Sequence, residues 1–187
     1  MKVLYFDVET SGLDSSINGI IQLAGIFEVN GNVVETFNYS MKLFPNQKFE
    51  QSAFEVHGIT ENDLKNMMQP EEGFEKFLAL LDRHINKFNK DDKFYPSGYN
   101  VKFDLEFLNQ FFKNNGNNFF GSYCNWRYID PLPFLYAMDF GGILSLPNYK
   151  LQTVCEYYGI NIDAHDSFSD IKATKILIQN IIYNNKY

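Results

Sequence analysis

The sequence predicts an α/β fold, with a mixed five-stranded sheet flanked by helices in one domain over residues 1–187. Two observations lead to this prediction. The first three predicted strands follow one another directly, which is typical of an antiparallel meander. The last two are separated by helical segments, which is typical of parallel strands. The composition favours a packed core, because 45% of the residues are hydrophobic and 17% are aromatic.

The strand predictions depend on apolar patterning and on one turn. Residues 2–10 (KVLYFDVET) alternate and are rich in Val, Leu, Tyr and Phe, which indicates a buried strand. Asn30-Gly31 predicts a tight hairpin, because both turn positions tolerate positive φ. The five expected strands are 2–10, 20–29, 33–43, a short strand within 94–100, and 123–129 (YCNWRYI).

Capping patterns predict where the helices begin. Thr60 with Asp63 three residues later forms a capping-box pattern, and the FEVHGIT segment before it is expected to be a loop. Asp130 followed by Pro131 predicts an N-cap with proline at the first helical position. The expected helices start at Thr60 and at Pro70, cover 102–113, follow Asp130-Pro131, cover 150–158, and run from about Ser167 to Ile182.

Charge and cysteine content exclude several classes of protein. The net charge is −7 and the pI is about 4.9, which argues against gripping nucleic acid by bulk positive charge. The two cysteines, Cys124 and Cys155, lack zinc spacing and are expected to be buried thiols. We expect a cytoplasmic protein with no membrane partner, because no apolar run could span a bilayer and acids at Asp7 and Glu9 do not fit a signal peptide.

Asp7 and Glu9 are the first candidates for chemistry. They lie two residues apart on a predicted strand, so their side chains share one face. The apolar neighbours indicate a central strand, where two adjacent carboxylates repel unless cations compensate them. The alternative is an edge strand whose wet face carries both acids.

Two further acids and one histidine lie near helix starts. Asp104 shares a helical face with Leu108 and Phe111, and Asp170 lies in the first turn of the last helix. His165 falls in the loop just before that helix. Read one at a time, each acid is explained by capping a helix, and the histidine is explained as a surface residue. Together, four oxygen donors favour hard ions such as Mg²⁺ or Mn²⁺, and two such ions cleave phosphodiesters.

Three segments carry a family resemblance. FDVETSGLD (6–14), GYNVKFDLEFL (98–108) and HDSFSD (165–170) resemble the three motifs of the DEDDh 3′–5′ exonucleases, the family of the proofreading epsilon subunit of bacterial DNA polymerase III. The resemblance implies a ribonuclease H-like fold. It also implies two Mg²⁺ or Mn²⁺ ions held by Asp7, Glu9, Asp104 and Asp170, with His165 as the general base.

The resemblance further implies a binding site for the terminal nucleotide. Its residues are Thr10, Gly12, Leu13, His57, Asn100 and Phe103. For Phe103, core packing is as good an explanation as substrate contact, because phenylalanine is commonly buried.

The function expected from these residues is metal-dependent 3′–5′ exonuclease activity that releases nucleoside 5′-monophosphates from the 3′ end of single-stranded DNA. An RNA-directed enzyme similar to oligoribonuclease is the alternative, because the same five residues serve both substrates. An alternative of another class is a non-catalytic, polymerase-associated nucleic-acid-binding module. A DNA polymerase and a second copy of the chain are the candidate protein partners.

Overall fold

The computed structural model describes residues 1–162 and 167–184, and within them four strands form one sheet. The strands are β1 (Lys2–Thr10), β2 (Ile20–Val29), β3 (Asn32–Ser40) and β4 (Phe94–Ser97). Their order is β3-β2-β1-β4, with β1 antiparallel to β2 and parallel to β4. The predicted α/β class and the antiparallel meander are therefore confirmed.

The hairpin between β2 and β3 forms where the sequence predicts it. Asn30 and Gly31 have φ values of 53° and 83°, the left-handed conformation that both residues adopt at low cost. The turn joins two strands whose register runs from Gln22 opposite Ser40 to Val29 opposite Asn32.

Seven α-helices flank the sheet in the described part of the chain, together with one short 3-10 helix at Phe120–Ser122. They are α1 (Gln51–His57), α2 (Glu61–Leu64), α3 (Pro70–His84), α4 (Val101–Asn114), α5 (Leu132–Phe140), α6 (Leu151–Tyr157) and α7 (Ser167–Asn184). The capping box at the start of α2 forms as predicted, with Thr60 and Asp63 bonding to each other's backbone N–H groups. None of the described helices is long and apolar enough to cross a bilayer.

The fifth strand, predicted over 123–129, is wrong. This segment touches β4 at two isolated parallel bridges, Phe94 with Cys124 and Ser97 with Ile129. Between these two bridges β4 advances by three residues, whereas the partner segment advances by five. The two extra residues of the segment bulge out of the sheet. Backbone hydrogen bonds to β4 hold only the two ends, with two bonds at each. Phe94 exchanges bonds with Tyr123 and Asn125 at one end, and at the other the N–H of Ile129 donates to Pro96 and the N–H of Gly98 to Ile129.

Two helix predictions also need correction. Most of the expected FEVHGIT loop belongs to α1, a short helix that Gly58 ends at φ 73°. Its start has no side-chain cap and it buries only Ala53, so the sequence carries little periodic signal. The residue before α5 is Pro131, one position after the predicted cap. The Asp130 carboxylate still accepts the N–H of Leu132, as a capping side chain does, and it also accepts the N–H groups of Asn100 and Val101.

Both faces of β1 are covered, which makes it the central strand that its apolar residues predict. Leu4, Phe6 and Val8 pack into the core that contains buried residues of α3 and α4. Val3 and Tyr5 point to the other face and pack against Ile171 and Ile178 of α7. This alternation sends Asp7 and Glu9 toward α7, at the carboxyl end of the strand.

Candidate active site

Two acids of β1 meet the first turn of α7. Asp7 and Glu9 are mostly buried and stand opposite Ala24 and Gln22 of β2. The hydroxyl oxygen of Ser167, the first residue of α7, lies 3.4 Å from the Glu9 carboxylate and 3.3 Å from the Gln22 side-chain oxygen. These contacts fix the start of α7 over the acids, and Asp170 follows one helical turn later.

Asp104 reaches the same place from the other layer. It lies in the first turn of α4 and is 4% exposed. Pairing between β1 and β4 ends at Tyr5 and Ser97, so the Val8 amide beyond that point donates to the Asp104 carboxylate instead, at 3.1 Å. The predicted stripe is confirmed, because Leu108 and Phe111 on the same helical face are buried in the core.

The acids shift one another's pKa. The pKa of Asp7 is raised to about 8, mainly by burial and then by the negative charges of Glu9 and Asp170, while a bond with Ser167 opposes the shift. Burial raises the pKa of Asp104 well above its usual range, the charge of Asp7 adds to this, and the bond from the Val8 amide opposes it. Deprotonation is therefore unfavourable unless positive charge is supplied.

The four acids have the right ligand type for a hard divalent ion, although they do not form a complete metal shell by themselves. All four are carboxylates, and oxygen ligands are what Mg²⁺ and Mn²⁺ prefer. Among the described residues, however, no three His, Cys, Asp or Glu side chains form a ready-made metal shell. Mg²⁺ does not need one, because it is commonly held by one or two carboxylates together with water and substrate phosphates. The donor set therefore fits such an ion.

A cavity of about 270 Å³ opens beside Glu9. Five of the six predicted substrate-binding residues line it: Thr10, Gly12, Leu13, His57 and Phe103. Leu13 is 81% exposed, although it is apolar. The sixth, Asn100, does not line this cavity; it precedes α4 at φ 58° and its N–H donates to Asp130.

Hydrogen bonds fix the loop and the histidine in this cavity. The N–H of Ile59 donates to Nδ1 of His57, so Nε2 carries the proton and donates to the Thr10 carbonyl at 3.2 Å. The Thr10 hydroxyl donates to the Gly12 carbonyl. Gly12 has no room for a side chain, because a Cβ would lie 2.4 Å from the Asn18 amide. The walls of the cavity are therefore preorganised.

The structure adds residues to the site that the sequence does not predict. Ser52, Ala53 and Val56 also line the cavity. The sequence does not indicate them, because α1 has little periodic signal. Nor does it indicate the capping role of Asp130 toward α4, because that role links distant segments. His165 lies outside the described residues, so its role as general base stays a prediction.

The cysteines take no part in this site. Both thiols are free and buried, as predicted. Burial raises the pKa of Cys124 to about 12 and that of Cys155 to about 11, so neither is a ready nucleophile or metal ligand.

A family model described as exonuclease (RNase_T) matches residues 4–178. The chain belongs to this exonuclease family. Curated relatives include a PolC-type DNA polymerase III from Halalkalibacterium halodurans, 27% identical over 97% of this chain, and the DNA polymerase III epsilon subunit from Buchnera aphidicola, 27% identical over 94% of it. The chain spans 11% of the first relative's length and 67% of the second's.

Solved structures with the same fold include E. coli exonuclease I. Its complex with a dT13 oligonucleotide superposes with a TM-score of 0.75 at 22% identity, over 96% of this chain and 40% of that one. The zinc-bound form of its complex with single-stranded DNA gives 0.78 at 20% identity, over 98% and 41%. At this identity the likeness confirms the ribonuclease H-like fold, here with four strands among the described residues.

Proposed function

We propose that this exonuclease-family chain removes nucleotides from the 3′ end of single-stranded DNA and releases nucleoside 5′-monophosphates. One observation carries the proposal. Asp7, Glu9, Asp104 and Asp170 gather at the carboxyl end of β1, beside the cavity that Thr10, Leu13 and His57 line. These acids oppose one another's ionisation, so all four are charged together only when a cation such as Mg²⁺ or Mn²⁺ binds among them. Such an ion attracts phosphate groups, which makes a phosphodiester the substrate that fits this site.

The four carboxylates would hold two Mg²⁺ or Mn²⁺ ions. Bound ions of this kind lower the pKa of an attacking water and stabilise charge on the leaving oxygen. The bond from the Val8 amide orients one Asp104 oxygen, and Ser167 sets the position of Glu9. His165 is proposed to accept the proton of the attacking water, because a histidine titrates near neutral pH.

The cavity residues would bind the terminal nucleotide. Leu13 presents an exposed apolar side chain on which a base can pack, and Phe103 lines the same cavity. His57 is held as the Nε2–H tautomer and fixes the backbone of Thr10. Asn100 is the proposed contact that this cavity does not include.

Two further proposals rest on the relatives, and a third rests on the family match. DNA is preferred over RNA, because the relatives are DNA polymerase III proteins and the structural neighbours include complexes with DNA oligonucleotides. A DNA polymerase is the protein partner, for the same reason; the alternative of a second copy of the chain stays a prediction. One exonuclease domain covers residues 1–187, which the family match over 4–178 supports.

Hydrolysis of matched oligonucleotides tests the proposal. A 5′-labelled single-stranded DNA should shorten from its 3′ end with Mg²⁺ and stay intact with EDTA, and matched single-stranded RNA should be degraded more slowly. Asp104→Asn should abolish shortening, whereas Glu106→Gln, an exposed acid of the same helix, should leave it unchanged. Binding without hydrolysis under all metal conditions would favour the non-catalytic module instead, and faster RNA cleavage would overturn the DNA preference.

The general base needs its own test. His165→Ala should lower kcat while metal-dependent stabilisation of the protein stays the same, because the histidine is proposed to move a proton and not to hold an ion. Unchanged kcat, with the same dependence on pH, would remove His165 from this role.

A further inference from the structure

The bulge that replaces the predicted fifth strand presents an unusual group of side chains. Trp126 is 85% exposed, and Arg127 next to it is also exposed. The Arg127 guanidinium lies 5.5 Å from the ring centre of Tyr95 and 5.8 Å from that of Trp126, and it donates to the Tyr95 hydroxyl at 3.1 Å. The arginine thus lies within cation–π distance of two aromatic rings.

The bulge has a defined shape. The side-chain oxygen of Asn125 accepts the Arg127 N–H at 3.0 Å, which closes a turn around Trp126. Backbone bonds to Phe94 and Pro96 fix the two ends. A bulge that only blunted the edge of the sheet would not need to expose its tryptophan to water.

Two cations of this group stand outside the ion pairs of the described residues, in a chain of net charge −7. Among the described residues, Arg127 and Lys93 have no carboxylate partner within ion-pair distance, whereas the other arginine, Arg83, pairs with Glu35. Lys93 lies near the start of the bulge, because it precedes Phe94, which bridges Cys124, and its ammonium donates to the Gly121 carbonyl at 2.5 Å. We name Lys93, Tyr95, Trp126 and Arg127 the Trp126 patch.

The chain connects this patch directly to the active site. Three residues after Arg127, the Asp130 carboxylate accepts the Val101 N–H at 3.1 Å, at the start of the helix that carries Asp104. The path from Arg127 to Asp104 consists of three residues to Asp130, the bond from Asp130 to Val101, and about one turn of α4. The length of this path limits the distance between Arg127 and Asp104 to about 20 Å. A single strand longer than the terminal nucleotides can reach both places.

We infer that the Trp126 patch is a second binding surface for single-stranded nucleic acid, which holds the part of a longer strand that lies outside the catalytic cleft. A base stacks on Trp126 and a phosphate binds Arg127 and Lys93, since exposed aromatic rings beside cations bind single strands without regard to sequence. The inference extends the proposed function, which supplies the nucleic-acid substrate. Charge favours this partner over a protein, because the cations of the patch are not neutralised by neighbouring acids.

Tryptophan fluorescence tests the inference without hydrolysis. The chain has one tryptophan, so its emission reports on position 126 alone. In EDTA, an oligodeoxythymidylate of about 16 nucleotides should quench this emission, and a dinucleotide should not. Arg127→Gln should weaken the titration about tenfold. Phe140→Ala removes a similarly exposed aromatic side chain outside the patch and should change nothing.

Kinetics supply the second measurement. Trp126→Ala should raise KM for the longer oligonucleotide about tenfold, and leave kcat and cleavage of the dinucleotide unchanged. Trp126→Phe should restore part of the loss. Absence of quenching, an unchanged KM for the longer oligonucleotide, or an equal rise in KM for both substrates would overturn the inference. A patch that binds only a protein partner gives the first two results. Quenching without hydrolysis would contradict the proposed function alone, and hydrolysis without quenching would contradict the patch alone.

Discussion

Buried acids at the two ends of one sheet face have opposite surroundings: one acid has a cation beside it, and the other has further acids. Glu28 of β2 and Asp7 of β1 point to the same face, and α7 crosses both. Glu28 is 5% exposed and forms an ion pair with Lys175 of α7. The middle of this helix thus offers a cation to a buried acid, whereas its first turn brings Asp170 toward Asp7.

The pairing of Glu28 serves the stability of the fold, whereas the cluster around Asp7 is explained by the proposed function. A buried carboxylate beside a lysine costs little, because the partner offsets lost hydration. A carboxylate beside carboxylates costs stability until a cation arrives. The ordinary pairing near Glu28 indicates that the arrangement around Asp7 is local and not a general tolerance of this fold for buried charge.

The largest effect is expected from Asp7→Asn. Exonuclease turnover should fall by roughly 1000-fold, since a lost metal ligand removes several kcal/mol of transition-state stabilisation. At pH 7 the free energy of unfolding without metal should rise by at least about 1 kcal/mol, because the amide does not have to take up a proton on folding, whereas Asp7 does. Steady-state hydrolysis and urea denaturation measure the two changes, and a fall in stability together with activity would show that Asp7 serves the fold.

Lys175→Met should have the opposite profile. It leaves Glu28 buried beside an apolar side chain, so the free energy of unfolding should fall by about 3 kcal/mol. Activity per folded molecule should stay near that of the wild type, because Lys175 lies away from the cleft acids. The double variant with Glu28→Gln should recover much of the loss. Equal activity losses for Lys175→Met and Asp7→Asn would remove the distinction between the two ends.

The pH dependence of stability without metal is the third test. Folded Asp7 titrates at about 8, far above its ordinary value of 3.8, so the folded protein keeps a proton that the unfolded chain has released. Stability should therefore fall as pH rises between these values, by more than about 1 kcal/mol from about pH 5 to about pH 7. Thermal unfolding in EDTA measures this slope, which should flatten in Asp7→Asn. A slope that the variant keeps would assign the titration to other groups.

Arg83→Ala should have the smallest effect. Arg83 pairs with Glu35 in a half-exposed position, where His84 also binds Glu35 at 2.8 Å. Solvent screening and the second partner limit the loss to roughly 0.5 kcal/mol, with unchanged activity. A denaturation midpoint shifted by much more than this would mean that exposed pairs matter as much as the buried Lys175 pair.

The features that the sequence predicts correctly are those that depend on residues close together in the chain. The alternation along β1 identified Asp7 and Glu9 as neighbours on one face, and the pair Thr60 and Asp63 identified a helix start. It failed over 123–129, because an apolar, aromatic segment fits a strand whether or not its register matches the neighbour. The mismatch depends on tertiary bonds to Phe94 and Pro96, which no local pattern contains.

The same limit applies within the candidate site. The spacing of Asp104 on α4 predicted its helical face, but its bond from Val8 depends on where β4 stops pairing with β1. The wall formed by α1 was missed because a seven-residue helix with one buried residue has almost no periodicity.

Thermal unfolding with and without Mn²⁺ tests the central claim, that the acids at the end of β1 bind divalent cations. The wild-type Tm should rise with Mn²⁺ concentration and saturate, because an ion that binds only the folded state stabilises it. Asp7→Asn and Asp170→Asn should lose this rise, whereas Glu106→Gln should keep it. A wild-type Tm that does not respond to Mn²⁺, or an equal response in Asp7→Asn, would contradict the claim.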